Sequence, residues 1–167
     1  MEAEKIKDRL VKYEKKYFQI FKQKGKPGFV PDSVQDCYIS YNPAFTVCGQ
    51  YIPASNTIIF RDTSKNVLLH ELIHFYLDEL TISEIEFLAV VLSDKIRNKI
   101  SNYDKIAKGY FEYRQEFVYG VIEDRHDFCF FLVSLFLDMR IGYAPGTVYG
   151  YGIEKEFAEK GVIFETK

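Results

Sequence analysis

From residue 3 to 23 the apolar positions Ile6, Leu10, Tyr13, Tyr17 and Phe21 recur every three or four residues with Lys and Glu between them. That spacing predicts an amphipathic helix, stopped by Gly25, Pro27 and Gly28. The pattern then changes. Cys37–Tyr41, Thr46–Tyr51 and Thr57–Phe60 are β-branched and aromatic runs parted by Asn42-Pro43 and by Pro53–Asn56. They predict three short strands with tight turns, an antiparallel meander. From Val67 onward the period is helical. One helix is expected from Val67 to about Glu79, with Thr63 or Ser64 as its cap. A second runs from Ile82 to about Ile100, with Thr81 and Glu84 at the spacing of a capping box. A third spans about Asp104 to Val121 on Ile106, Tyr110, Tyr113 and Phe117, and a strongly apolar fourth covers about Asp127 to Met139. The last stretch reads as a Gly- and Tyr-rich loop, a short helix near Glu154–Lys160 and a β-type run at Val162–Phe164. Neither a repeat nor a linker appears. The expectation is one α+β domain over residues 1–167, with a small antiparallel sheet ahead of a mostly helical C-terminal half.

Composition narrows the function classes. A chain of 167 residues with 47% apolar side chains can enclose a core. The 22 basic and 24 acidic residues, net −2, are spread along the chain, which argues against a nucleic-acid footprint. The longest apolar run, Phe128–Leu137, is broken by Ser134 and is about half the length that spans a bilayer. The N-terminal MEAEKIKDRL is charged throughout and lacks the apolar run of a secretion signal. Cys37, Cys48 and Cys129 form no CxxC pair, so neither a disulfide framework nor a cysteine zinc knuckle is indicated, and a reduced, cytoplasmic setting is expected. The 13 Tyr and 15 Phe are read first as an aromatic core.

The chemistry lies in Val67-Leu-Leu-His70-Glu71-Leu-Ile-His74-Phe-Tyr76, an HExxH pattern with uncharged flanks. Residues four apart on a helix lie one turn up and about 40° round, so both imidazoles can reach one ion. Zinc takes neutral nitrogen at about 2.0–2.1 Å in tetrahedral geometry. Glu71 stands where it can contact an activated water without ligating the metal, and can take its proton as it attacks a carbonyl. The pattern arises by chance in a chain of this size at a rate on the order of one in a few hundred. His70 and His74 are two of only three histidines.

With its apolar flanks this motif resembles that of the zincin metallopeptidases. Gly49-Gln-Tyr51 and Thr57–Phe60 are similar to the sheet edge that precedes their active-site helix and binds extended substrate. The resemblance covers about residues 45–92, and only HExxH in it is specific. Leu77 and Leu80 stand where the metzincin extension requires Gly and His, which leaves the gluzincins, whose third ligand is a Glu on a following helix. The short chain resembles the minigluzincins. The resemblance implies a zincin-like fold, a Zn2+ ion and a peptide or protein substrate.

Candidates for the third ligand are Asp78, Glu79, Glu84, Glu86, Glu123, Asp124, His126 and Asp127. With the helical hairpin turning at about Leu80–Thr81, His74 and Glu86 are each about 9 Å from the turn and so level with one another. Glu86 also shares a helix face with Ile82, Ala89 and Val90, where a lone carboxylate needs a partner. Glu86-Phe-Leu-Ala89 is moreover similar to the gluzincin third-ligand signature. Glu84 is the closest rival, but its place suits a cap. His126 could complete a three-histidine site or stabilise an oxyanion, and Tyr76 or the Tyr110–Tyr119 cluster could also donate to one.

The resulting expectation is a zinc-dependent endopeptidase with His70, His74 and Glu86 on the metal and Glu71 as general base. The alternative is a catalytically silent binding or regulatory protein that keeps the metal site. Latent minigluzincins are blocked by their own C-terminal part. Tyr143–Gly152 and Val162–Phe164 could cover the sheet edge in that way.

Overall fold

The structure is a computed structural model that describes residues 2–21, 33–117 and 124–167. The chain forms two compact units, residues 1–84 and 85–167. The described residues contain six α-helices and a three-stranded sheet. None of those helices is long and apolar enough to cross a membrane.

The first unit begins with α1 (Glu2–Tyr17), which buries Ile6, Leu10, Glu14 and Tyr17 at the helical spacing of the sequence. A 3-10 turn, Gln19–Phe21, follows. There Phe18 and Phe21 pack on Tyr76, each with ring centroids 4.8 Å from it. The buried Glu14 carboxylate accepts from Ser33 Oγ at 2.7 Å and from the Val34 amide at 2.8 Å. Gly25, Pro27 and Gly28 lie outside the described residues.

Three strands form as expected: β1 (Tyr38–Tyr41), β2 (Gly49–Ile52) and β3 (Thr57–Phe60). Their arrangement is not the antiparallel meander. The order is β1-β3-β2, with β3 antiparallel to β2 but parallel to β1. The connections explain this. β2 and β3 are joined by the 3-10 turn Pro53–Ser55, closed by Asn56 in the left-handed region at φ 48°, which is short enough to keep them neighbours. The link from Asn42 to Cys48 is no hairpin. It opens with an Asx turn, in which the Ala44 amide donates to Asn42 Oδ1, and it ends where the Arg61 and Asp62 amides donate to the Cys48 carbonyl. The chain thus passes to the far side of β3, leaving β1 to pair with β3 in the other sense.

Helix α2 (Lys65–Asp78) follows the sheet directly. Ser64 takes the cap position without a side-chain bond to the helix, and its own amide donates to Asp62 Oδ1 at 2.7 Å. Every residue from Leu68 to Leu77 is buried, so α2 is covered all round, which suits a helix with little amphipathic contrast. Helix α3 (Ile82–Arg97) opens with the expected capping box: the Thr81 amide donates to Glu84 Oε1 and the Glu84 amide donates to Thr81 Oγ1.

The second unit holds the rest of α3 with α4 (Tyr103–Phe117), α5 (Phe128–Ile141) and α6 (Ile153–Glu159). Asp127 caps α5 by accepting from the Phe130 amide, and Gly142 at φ 88° ends it. Asp138, fully buried, accepts from the amides of Gly146 and Val148 at 2.9 and 3.0 Å. Those bonds tie the loop after α5 back onto that helix. Burial raises the Asp138 carboxyl well above the usual carboxylate range, and the amide donors only partly offset this.

Val162–Phe164 is not a strand. The tail is extended and bound to the turn between α3 and α4. Ser101 N donates to the Glu165 carbonyl, Lys167 N donates to the Lys99 carbonyl, and Asn102 bridges Ile163 and Glu165. The strand bonds of the tail reduce to a bridge between Ile100 and Thr166, apart from the sheet.

Candidate metal centre

Helix α2 carries His70, Glu71 and His74, all buried. One turn apart, the two imidazoles have ring centroids 5.0 Å from each other at an angle of 72°. The helix is thus positioned by its apolar residues, and its three polar groups are held among them.

Glu71 lies against the first residue of β2. A Cβ on Gly49 would stand 2.9 Å from Glu71 Cγ and 3.3 Å from its Cδ. Only a residue with no side chain leaves that carboxylate its place, because the contact falls on the middle of a buried side chain. Gly49→Ala is therefore expected to cost about 1–2 kcal/mol through overpacking. Adding Glu71→Ala should recover part of the loss, as a double-mutant cycle on the thermal midpoint will show. Strictly additive losses would show that the two residues do not press on each other.

His126 closes the 3-10 turn Asp124–His126 just ahead of α5, and it is 8% exposed. Its main-chain carbonyl accepts from Tyr110 Oη at 2.9 Å, from Tyr149 Oη at 3.1 Å and from the Arg114 guanidinium. Its ring meets Phe130 and Tyr151 edge-on, with centroids 5.0 and 4.7 Å away. Burial pushes the phenols of Tyr110 and Tyr149 up, so both stay protonated donors. Tyr151 is in the left-handed region at φ 56°, between Gly150 at φ 78° and Gly152 at φ 84°. Its carbonyl accepts from Tyr113 Oη. The Gly- and Tyr-rich segment thus packs around His126, through Tyr149 and Tyr151.

His70 and His74 offer two neutral imidazoles from one helix turn, a donor pair that could hold a metal ion and that zinc accepts at about 2.0–2.1 Å.

Glu86 sits on α3 on an exposed face whose neighbours Ile82 and Val90 are 78% and 61% exposed. The buried face of α3 is instead Leu88, Leu92 and Ile96. The apolar stripe that seemed to demand a partner for Glu86 is solvated, so the carboxylate has water. Glu84 is engaged in the capping box. Asp78 and Glu79 are exposed, Asp127 caps α5, and Glu123 lies outside the described residues. Tyr76 is a core residue, its hydroxyl near Glu14 and its pKa raised by burial. The supporting roles of Tyr110, Arg114, Tyr149 and Tyr151 were not legible in the sequence, where they read as core stripe and loop. Comparison with protein-family models, with curated proteins and with solved structures returns no match for this chain.

Proposed function

We propose that this chain is a zinc-dependent peptidase, with His70 and His74 holding the metal and Glu71 moving the proton. The observation that carries the reading is the buried HExxH helix, on which the two imidazoles stand one turn apart with ring centroids 5.0 Å from each other. A zinc ion there supplies a Lewis acid, polarising a carbonyl oxygen and lowering the pKa of water toward about 7. Glu71 takes the proton of the attacking water and passes it to the leaving amine. Burial of the carboxylate keeps it in a fixed place, and Gly49 admits it there. Strand β2 is an edge of the sheet. An edge strand beside the HExxH helix suits an extended polypeptide, which is the substrate class we assign.

The test is zinc binding by the full chain, measured by competition with a chromophoric chelator. His70→Ala is expected to weaken it by at least about 10²-fold, beyond the loss of an outer-shell partner. Glu86→Gln and His126→Ala, run beside it, identify the third ligand by which of them also loses the metal. Unchanged binding on His70→Ala would sink the reading.

A further inference from the structure

The second unit, residues 85–167, carries a surface cavity of about 210 Å³ bounded by α4, α6 and the residues just after α6. Helix α4 lines it with Lys105, Lys108 and Glu112, three positions that share one face of a helix. Lys160, at the end of α6, brings a third ammonium. Three ammoniums thus line the space against one carboxylate. Glu112 Oε1 is 3.8 Å from Lys108 Nζ, and Glu156 Oε1, outside the lining, is 3.0 Å from Lys160 Nζ. Both are i,i+4 pairs on helix surfaces, weak enough to open for a stronger anion. With both counted, positive charge is still in excess. The rest of the lining is apolar. Phe157 and Val162 are 1% and 6% exposed. Gly109 lets the ring reach α4, since a Cβ there would stand 2.8 Å from Phe157 Cε1.

Ammonium groups gathered at one place repel one another unless an anion stands among them. A phosphate monoester is the anion whose chemistry fits. It carries close to two negative charges near neutral pH and three strong acceptor oxygens, against the two oxygens and single charge of a carboxylate. Lysine meets phosphate as a point charge, without the fixed fork of arginine. The lysines therefore read charge, and the apolar wall reads the alcohol part of the ester. The volume is below the range of drug-sized ligand pockets, which limits that part to about one ring. We propose that this cavity binds a small phosphate monoester, with the phosphate held by Lys105, Lys108 and Lys160 and the apolar part on Phe157 and Val162. All of these residues lie in the second unit, and the site owes nothing to the metal helix.

The probe is phenyl phosphate, titrated by calorimetry into the full-length protein at low ionic strength. Saturable binding in the millimolar range or tighter is expected. Lys105→Ala and Lys160→Ala should each weaken it about 10-fold, the effect of one hydrogen bond to a charged group. The thermal midpoint should not move, because both side chains are exposed. Lys155→Ala, on α6 but outside the lining, should leave binding within about twofold. Inorganic phosphate lacks the ring and benzoate lacks the phosphate, so both should bind more weakly. His70→Ala should bind phenyl phosphate as the wild type does, which separates this cavity from the proposed metal centre. Absence of saturable binding would overturn the proposal. So would equal weakening by Lys155→Ala and Lys105→Ala, which marks a general attraction to positive surface. Benzoate binding as tightly as phenyl phosphate would remove the phosphate from the assignment, and loss of binding on His70→Ala would move the phosphate to the metal.

Discussion

Replacing Glu71 by Gln is expected to lower peptide cleavage by about 10²-fold or more while zinc stays bound. The substitution keeps the shape of a side chain that is 5% exposed and pressed against Gly49, so packing changes little. It removes the one property the proposed chemistry needs from that position, a carboxylate that can take and return a proton. An amide cannot accept that proton near neutral pH. The imidazoles of His70 and His74 are untouched, so metal content should match the wild type. Cleavage of an unfolded protein substrate, followed beside metal analysis, reads both quantities. Equal cleavage by the two proteins would remove Glu71 from the chemistry. Activity absent from both, with zinc present in both, would favour a protein that holds metal without hydrolysing peptides.

The largest expected effect on the metal itself comes from His70→Ala and His74→Ala. The wild-type chain should take up about one zinc, and each substitution should abolish stoichiometric binding at micromolar metal. Removing either imidazole breaks the chelating pair and leaves zinc short of the closed or three-plus-one sets that it favours. Both side chains are buried on a helix whose neighbours are apolar, so water cannot easily take up the lost place with further hydrogen bonds. Binding also couples to folding, because the unfolded chain holds no preformed set. Added zinc should raise the thermal midpoint of the wild type and leave that of either variant unmoved. A wild-type chain that cannot be loaded at neutral pH would end the metal reading altogether.

Much of the local structure was readable along the chain because local bonds decide it. The period of Ile6, Leu10 and Tyr17 marks the face that α1 buries, and Thr81 with Glu84 forms the capping box its spacing implied. The HExxH pattern set His70 and His74 one turn apart on α2, as any helix with that spacing must. These outcomes depend on residues within about one turn of each other.

Tertiary structure decided what distant residues share. Strand pairing was misread because short strands take their order from bonds made across the fold, and the Asn42–Cys48 link carries β2 past β3. The face of α3 that bears Glu86 looked apolar on paper, yet Ile82 and Val90 are exposed and Leu88, Leu92 and Ile96 are buried. An apolar pattern tells which faces could be buried, and only the packing selects among them. The donors on the His126 carbonyl, which come from α4 and from the loop tied to Asp138, were not visible in the sequence either. Local spacing thus placed two histidines and a carboxylate on one helix, because a helix repeats within a few residues. The support of His126 depended on contacts between residues far apart in the chain, which no local period encodes.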